Sequence, residues 1–133
     1  GLGAKKLTKE DVLRIIKREE VPKLLDKLKD PNVSSQEKIK IVRHLRDLYE
    51  KEWIEISEIK DKVLLRSKSG KWLSPKELIF SKEYMPRHSI ELLYENKLLD
   101  DKYLSWHFEF VDPVFLENND PLTIQKWREF LKT

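Results

Sequence analysis

The chain of 133 residues has one glycine beyond its first three positions, Gly70, and the stretch around it constrains the fold more than any other. Val63, Leu64 and Leu65 form an apolar run that predicts a short buried strand. Ser67-Lys68-Ser69-Gly70 predicts a tight turn, and Lys71, Trp72 and Leu73 the returning strand of a hairpin. A loop this short usually needs one residue at positive φ, which glycine adopts without the cost that a Cβ brings. Ser74-Pro75-Lys76-Glu77 then predicts a helical turn, with Ser74 as cap, Pro75 in first position and Glu77 at capping-box spacing.

Helical patterns precede the hairpin. Gly1 to Ala4 is a short lead, either a tag remnant or a linker. Thr8 is placed to cap a helix whose first turn carries Glu10 and Asp11, where the helix dipole favours acids, and Val12, Leu13, Ile15 and Ile16 give it an apolar stripe. Pro22 breaks or restarts that helix, and Leu24, Leu25 and Leu28 continue it to Asp30-Pro31. Ser34 and Glu37 make a capping-box pattern that opens the clearest helix of the chain. There Ile39, Ile41, Val42, Leu45, Leu48 and Tyr49 fall mostly on one face, with Lys40, Arg43, Arg46, Asp47 and Glu50 opposite. Trp53, Ile54, Ile56 and Ile59 lead into the hairpin as either a short helix or an extended connector.

Beyond the hairpin, Tyr84-Met85-Pro86 predicts a loop. Ser89 predicts the cap of a helix with Ile90, Leu92 and Leu93 inward. Asp100-Asp101-Lys102 predicts a turn, and the aromatic-rich run from Tyr103 to Val111 a strand or extended segment, interrupted by Asp112-Pro113. Asp120 and Pro121 open a last helix that buries Leu122, Ile124, Trp127, Phe130 and Leu131.

Apolar content is 39% and charged content 38%, and most of the aromatic residues lie from Trp72 onward, which predicts an aromatic core weighted to the second half. A chain this size buries roughly two thirds of its unfolded surface, enough for one domain. The net charge is +3; residues 1–60 hold 15 basic and 12 acidic side chains, and residues 61–133 hold 12 of each. That mixture is not the clustered basic face of most nucleic-acid binders. The absence of cysteine excludes a disulfide framework and thiolate metal sites, and with no apolar run of membrane-spanning length it predicts a cytoplasmic protein without membrane contact.

Few residues offer chemistry. His44, His88 and His107 lack the i,i+4 spacing of a helical zinc pair. His107 and Glu109 would share one face of the predicted strand, an arrangement that reads as a polar strand face. A metal centre would require either of them to meet Asp100, Asp101 or Asp112. Asp100 and Asp101 are adjacent and do not converge as paired catalytic carboxylates must. Glu58-Ile59-Lys60 and Glu95-Asn96-Lys97 resemble the Glu-x-Lys half of a metal-dependent nuclease site, but the Pro-Asp that should precede it is missing. No glycine-rich phosphate loop surrounds Gly70. No catalytic, cofactor-binding or metal-binding residue is assigned, and no cofactor is expected. The remaining candidates are nucleic-acid contacts in the hairpin: Lys62, Arg66, Lys68 and Lys71 for phosphates, with Trp72 for stacking. The same residues serve equally as solvated lysines on exposed strands and a core tryptophan.

The stretch from Val63 to Phe80, with Ser69-Gly70-Lys71-Trp72, Pro75 and Glu77 in order, resembles the "strand, Asp/Ser-Gly-Lys-Trp, Pro, Glu, apolar" element of sacsin-like proteins. That group includes plant NO VEIN-type and prokaryotic proteins with a histidine-kinase-like ATPase domain of heat-shock-chaperone type. Leu2-Gly3-Ala4-Lys5-Lys6-Leu7-Thr8 is similar to the lead into a helix in those proteins, and Trp127 to Leu131 resembles their "Trp, two residues, Phe-Leu" exit. The ATP-binding motifs of the family have no match here. The resemblance implies a non-catalytic interaction or coupling module excised from a longer, chaperone- or defence-related ATPase, with neighbouring domains of the same parent chain or another protein as partners.

The expected fold class is α+β: N-terminal helices, a central β-hairpin with an aromatic-rich core, and C-terminal helices. Residues 1–133 are expected to form a single module, mainly helical over 1–60 and mixed over 61–133, without enzymatic activity. The alternative reading is a nucleic-acid-binding module of a restriction- or defence-type protein.

Overall fold

The computed structural model describes residues 6–87, 89–98 and 107–132. The fold is α+β, and the chain falls into two compact units, Gly1–Ile59 and Lys60–Thr133.

The first unit is helical. Thr8 caps α1 (Lys9–Ile15) with a full capping box: its Oγ1 accepts the Asp11 amide, and Asp11 returns a bond to the Thr8 amide, both at 3.1 Å. Of the two expectations at Pro22, a break or a restart, the restart holds: Pro22 lies in the first turn of a new α-helix. A single π-helical turn (Ile16–Glu20) connects α1 to α2 (Val21–Lys29), and the Val21 amide reaches back to the Ile16 carbonyl. The register thus slips by one residue just before a proline that has no amide to donate. Ser34 caps α3 (Ser35–Glu50) by accepting the Glu37 amide at 3.2 Å. Ile41, Val42, Leu45 and Leu48 of α3 are buried, as are Val21, Leu25 and Leu28 of α2, and the two helices pack together. The two readings left open for Trp53–Ile59 resolve into a short helix, α4 (Ile56–Ile59), with Ile54 and Ile59 buried.

The second unit is built around the hairpin. β1 (Leu65–Arg66) pairs antiparallel with β2 (Trp72–Leu73), Leu65 opposite Leu73 and Arg66 opposite Trp72. The strand is shorter than the apolar run suggests, since Val63 and Leu64 lie before the ladder. Ser67 to Gly70 forms the expected turn, with the Gly70 amide on the Ser67 carbonyl and φ +90° at Gly70.

The expected Ser74 cap does not form. Pro75–Glu77 is one 3-10 turn, and its Glu77 amide goes to the Ser74 backbone carbonyl at 2.9 Å. The tighter i→i+3 bond takes the donor that the serine hydroxyl would have accepted.

Residues 107–109 belong to no regular strand, and Phe110 and Val111 make isolated bridges; Tyr103–Trp106 lie outside the described residues. Val111 bridges antiparallel to Ser67 and Phe110 parallel to Ile79, so the segment runs between the hairpin and residue 79. The Lys68 amide donates to Phe110 and the Val111 amide to Ile79.

Ser89 caps α5 (Ile90–Glu95) as expected, but the inward face differs. Ile90 and Leu93 are each 40% exposed, while Glu91 is buried. In so short a helix two partners outside it decide which side turns in, as the site geometry shows. Asp112 caps a 3-10 turn (Pro113–Phe115), and Asp120 caps α6 (Pro121–Leu131), which buries Trp127, Phe130 and Leu131 but leaves Leu122 exposed. Phe115 lies 6.1 Å from both Trp72 and Trp127, ring centre to ring centre, and Phe130 stacks edge-on against Trp127. These rings form the aromatic core that the composition predicts.

Candidate functional site

The hairpin turn brings its polar side chains against the extended segment that follows residue 107. Ser69 donates to Glu109 Oε2 at 2.7 Å, and His107 Nε2 lies 2.6 Å from Glu109 Oε1. Ser67 and Ser69 share a hydrogen bond at 2.8 Å, and Lys71 Nζ stands 3.5 Å from Glu109. Serine, histidine and carboxylate therefore meet at one end of the hairpin.

The order of contacts decides what this cluster can do. A nucleophilic serine needs the histidine as its base and the carboxylate behind the histidine. Here the carboxylate is in the middle. The bonds from His107 and Ser69, against a small opposing effect of burial and with help from Ser67 and Lys71, hold the Glu109 pKa down to about 2. So acidic a carboxyl group is a weak base near neutral pH, where general-base catalysis favours a group titrating close to the working pH. The cluster is suited to tying the turn to residues 107–109.

The metal reading has little to stand on. Asp100 and Asp101 lie outside the described residues, and Asp112 faces Arg66 and the Val114 amide. Among the described residues no group of three or more His, Asp or Glu side chains is placed to hold a metal ion. Glu58 pairs with Lys17 at 3.3 Å and Glu95 with Lys82 at 3.2 Å, so both Glu-x-Lys glutamates meet a lysine outside their own motif.

The candidate nucleic-acid contacts separate. Arg66 Nη1 donates to Asp112 Oδ2 at 3.0 Å. Lys68 Nζ reaches Glu91 at 2.8 Å and Glu83 at 2.9 Å, and Lys71 approaches Glu109. Trp72 is half-buried with its ring edge-on to Phe115. Lys62 is exposed. Arg66, Lys68 and Lys71 thus face carboxylates of the same unit, and the half-buried ring of the stacking candidate Trp72 packs against core Phe115.

Lys68 is the best-held of these cations. Partial burial pulls its pKa down, but the bonds and charges of Glu91 and Glu83 outweigh that and raise it above the ordinary lysine value. Burial likewise pushes Glu83 up, and Lys68 brings it below the ordinary carboxylate range. Glu91 Oε1 also accepts the Lys82 amide at 3.0 Å, which accounts for a charged residue on the inner face of α5.

The same unit contains an apolar cavity of about 320 Å3. Leu65, Leu78, Phe80, Met85 and Val111 line it with Ile90, and Lys132 is its one charged lining residue. No periodic pattern signals this cavity in the sequence, because its walls come from five separate segments. Among the described residues no helix is long and apolar enough to cross a membrane. Comparison with protein-family models, curated proteins and solved structures gives no match.

Proposed function

We propose that this chain is a non-catalytic interaction module, of the kind that the sacsin-like resemblance implies for a chaperone- or defence-related ATPase. The observation that carries the reading is the apolar cavity of the second unit, with Ile90 40% exposed at its wall. Exposed apolar surface lining a concavity marks interaction sites more often than scattered apolar side chains do. The ionic groups nearby face one another, which leaves apolar contact as the cavity's main means of recognition. Lys132 as sole charged lining residue favours an amphipathic segment that carries an acid beside its apolar anchor. A neighbouring domain of the same parent protein is the partner that the resemblance suggests.

The test is titration of the chain with the separately produced ATPase domain of a sacsin-like protein, followed by amide NMR shifts. Shifts gathered at Leu78, Phe80, Met85 and Ile90, and lost on Ile90→Asp, are expected. No shift at ~100 μM partner, a concentration that reports even weak contacts, overturns the reading. So does ATP turnover by the chain alone. A parallel salt series with duplex and single-stranded nucleic acid checks the alternative, whose binding would weaken steeply with salt.

A further inference from the structure

A second concavity has the opposite character. It has a volume of about 550 Å3, and its lining is Met85, Pro86, Arg87, Pro121 and Arg128. Two guanidinium groups and three apolar residues make up that lining, with no acid among them. Elsewhere in this unit Arg66, Lys68, Lys71, Lys76 and Lys82 each meet a carboxylate. Neither Arg87 nor Arg128 has a carboxylate partner among the described residues. The acids nearest in sequence are engaged elsewhere: Glu83 and Glu91 with Lys68, Glu129 with the Gln125 side chain at 3.5 Å, and Asp120 with the helix, where its Oδ1 accepts the Leu122 amide at 3.1 Å.

Arg128 is also held in place. Its Nη1 donates to the Tyr84 carbonyl at 2.9 Å. Tyr84 is fully buried, and its hydroxyl donates to the Asp112 carbonyl at 2.7 Å. One bond of the guanidinium thus goes to the backbone of buried Tyr84, and most of its five N–H donors remain for a ligand. Arg87 is exposed at the same cavity. Two arginines lining one cavity, one of them held by a backbone bond, suit the recognition of planar or tetrahedral oxyanions through short, charge-assisted bonds.

We infer that the cavity lined by Arg87 and Arg128 is a binding site for an oxyanion carried on a flat apolar body, such as an aryl phosphomonoester or aryl carboxylate. The volume exceeds what a bare phosphate fills and falls in the range of small-molecule sites. Met85, Pro86 and Pro121 supply the apolar contact, the methionine through its polarisable sulfur. The site shares Met85 with the apolar cavity but adds two arginines that the apolar cavity lacks.

Phenyl phosphate, inorganic phosphate, benzoate and benzyl alcohol are the probes, each titrated into the intact chain while the NMR signals of Arg87 and Arg128, which line this cavity alone, are followed. Phenyl phosphate or benzoate is expected to bind with a millimolar or lower Kd, more tightly than inorganic phosphate and far more tightly than benzyl alcohol. Tighter binding of phenyl phosphate assigns the site to phosphomonoesters, and tighter binding of benzoate to carboxylates. Arg87→Gln is expected to weaken the bound anion about tenfold, the loss of one charge-assisted contact. Arg128→Gln does the same or more, but it also loosens Tyr84, so the exposed Arg87 variant is the deciding one. Absence of shifts with every anion overturns the inference, and so does undiminished binding to Arg87→Gln. Neither outcome bears on the apolar cavity, which is read at Leu78, Phe80 and Ile90, none of them in this lining.

Discussion

Arg66 and Asp112 hold each other twice. The Arg66 guanidinium donates to Asp112 Oδ2 at 3.0 Å, and the Asp112 amide donates to the Arg66 carbonyl at 2.8 Å. The other carboxylate oxygen caps the 3-10 turn at Val114, and the Asp112 carbonyl accepts the Tyr84 hydroxyl. One residue therefore joins the hairpin, the 81–87 loop and the turn that carries Phe115 into the core.

Asp112→Ala should cost about 2–4 kcal/mol, combining a lost cap with a charge-assisted bond whose arginine is left half-buried. Asp112→Asn keeps an acceptor for Val114 and should cost about half as much. Urea unfolding of both variants measures the difference. Equal, small losses would show that the backbone bonds alone hold the junction.

Glu109 gives the unit an acid-sensitive contact. Its pKa of about 2 lies below the ordinary 4.5, chiefly through His107 and then Ser69, so folding favours its ionised form. The stabilisation is complete above pH 4.5 and is lost as pH falls toward 2. Glu109→Gln should flatten that part of the stability profile, with a difference on the order of 1 kcal/mol near neutrality because solvent screens the pair. Parallel profiles for the two proteins between pH 6 and pH 3 would refute it, a window that spans most of the expected titration.

How much of this was legible follows from how local each feature is. The turn at Gly70, the N-cap at Thr8 and the Asp120-Pro121 start of α6 each depend on four or five consecutive residues, and each forms where those residues predict. The Ser74 cap failed although its pattern is equally local, because a backbone carbonyl competed for the same amide. Arg66 and Asp112 are 46 positions apart and Ser69 and Glu109 are 40, and no spacing rule connects them. The inward turn of Glu91 ran against the periodicity of its own helix. Its cause lies in Lys68 and the Lys82 amide, outside α5. In the sequence Arg87 and Arg128 are isolated cations 41 positions apart; only the fold puts both on one cavity.

The Lys68–Glu91 pair predicts an asymmetry between single and double variants. Glu91 is 6% exposed at its side chain, and Lys68 is 29% exposed. Lys68→Met leaves a buried carboxylate with the Lys82 amide as its remaining contact and should cost about 2–4 kcal/mol. Lys68→Met with Glu91→Leu removes both charges and should recover at least half of that loss. The raised pKa of Lys68 contributes stability below about pH 10.5 that is lost at higher pH, and the lowered pKa of Glu83 contributes stability above about pH 4.5 that is lost on acidification. A thermodynamic cycle with no coupling between the two sites would remove the pair from the account. The same cycle bears on the nucleic-acid reading, because charge reversal at Lys68 would lower affinity simply by loosening the hairpin.

Gly70 tests whether backbone conformation or space governs the turn. A Cβ added there would come no closer than 3.6 Å to Arg66 Nη2, an ordinary contact, so the side chain has room. The φ of +90° is the obstacle. Gly70→Ala should therefore destabilise by about 1–2 kcal/mol through backbone strain while leaving the Arg66–Asp112 pair intact. Urea unfolding gives the cost, and the NMR shifts of Arg66 and Asp112 report on the pair. An unchanged midpoint would mean that the turn relaxes to negative φ. A large loss with altered Arg66 shifts would mean that the turn and the ion pair fold as one unit.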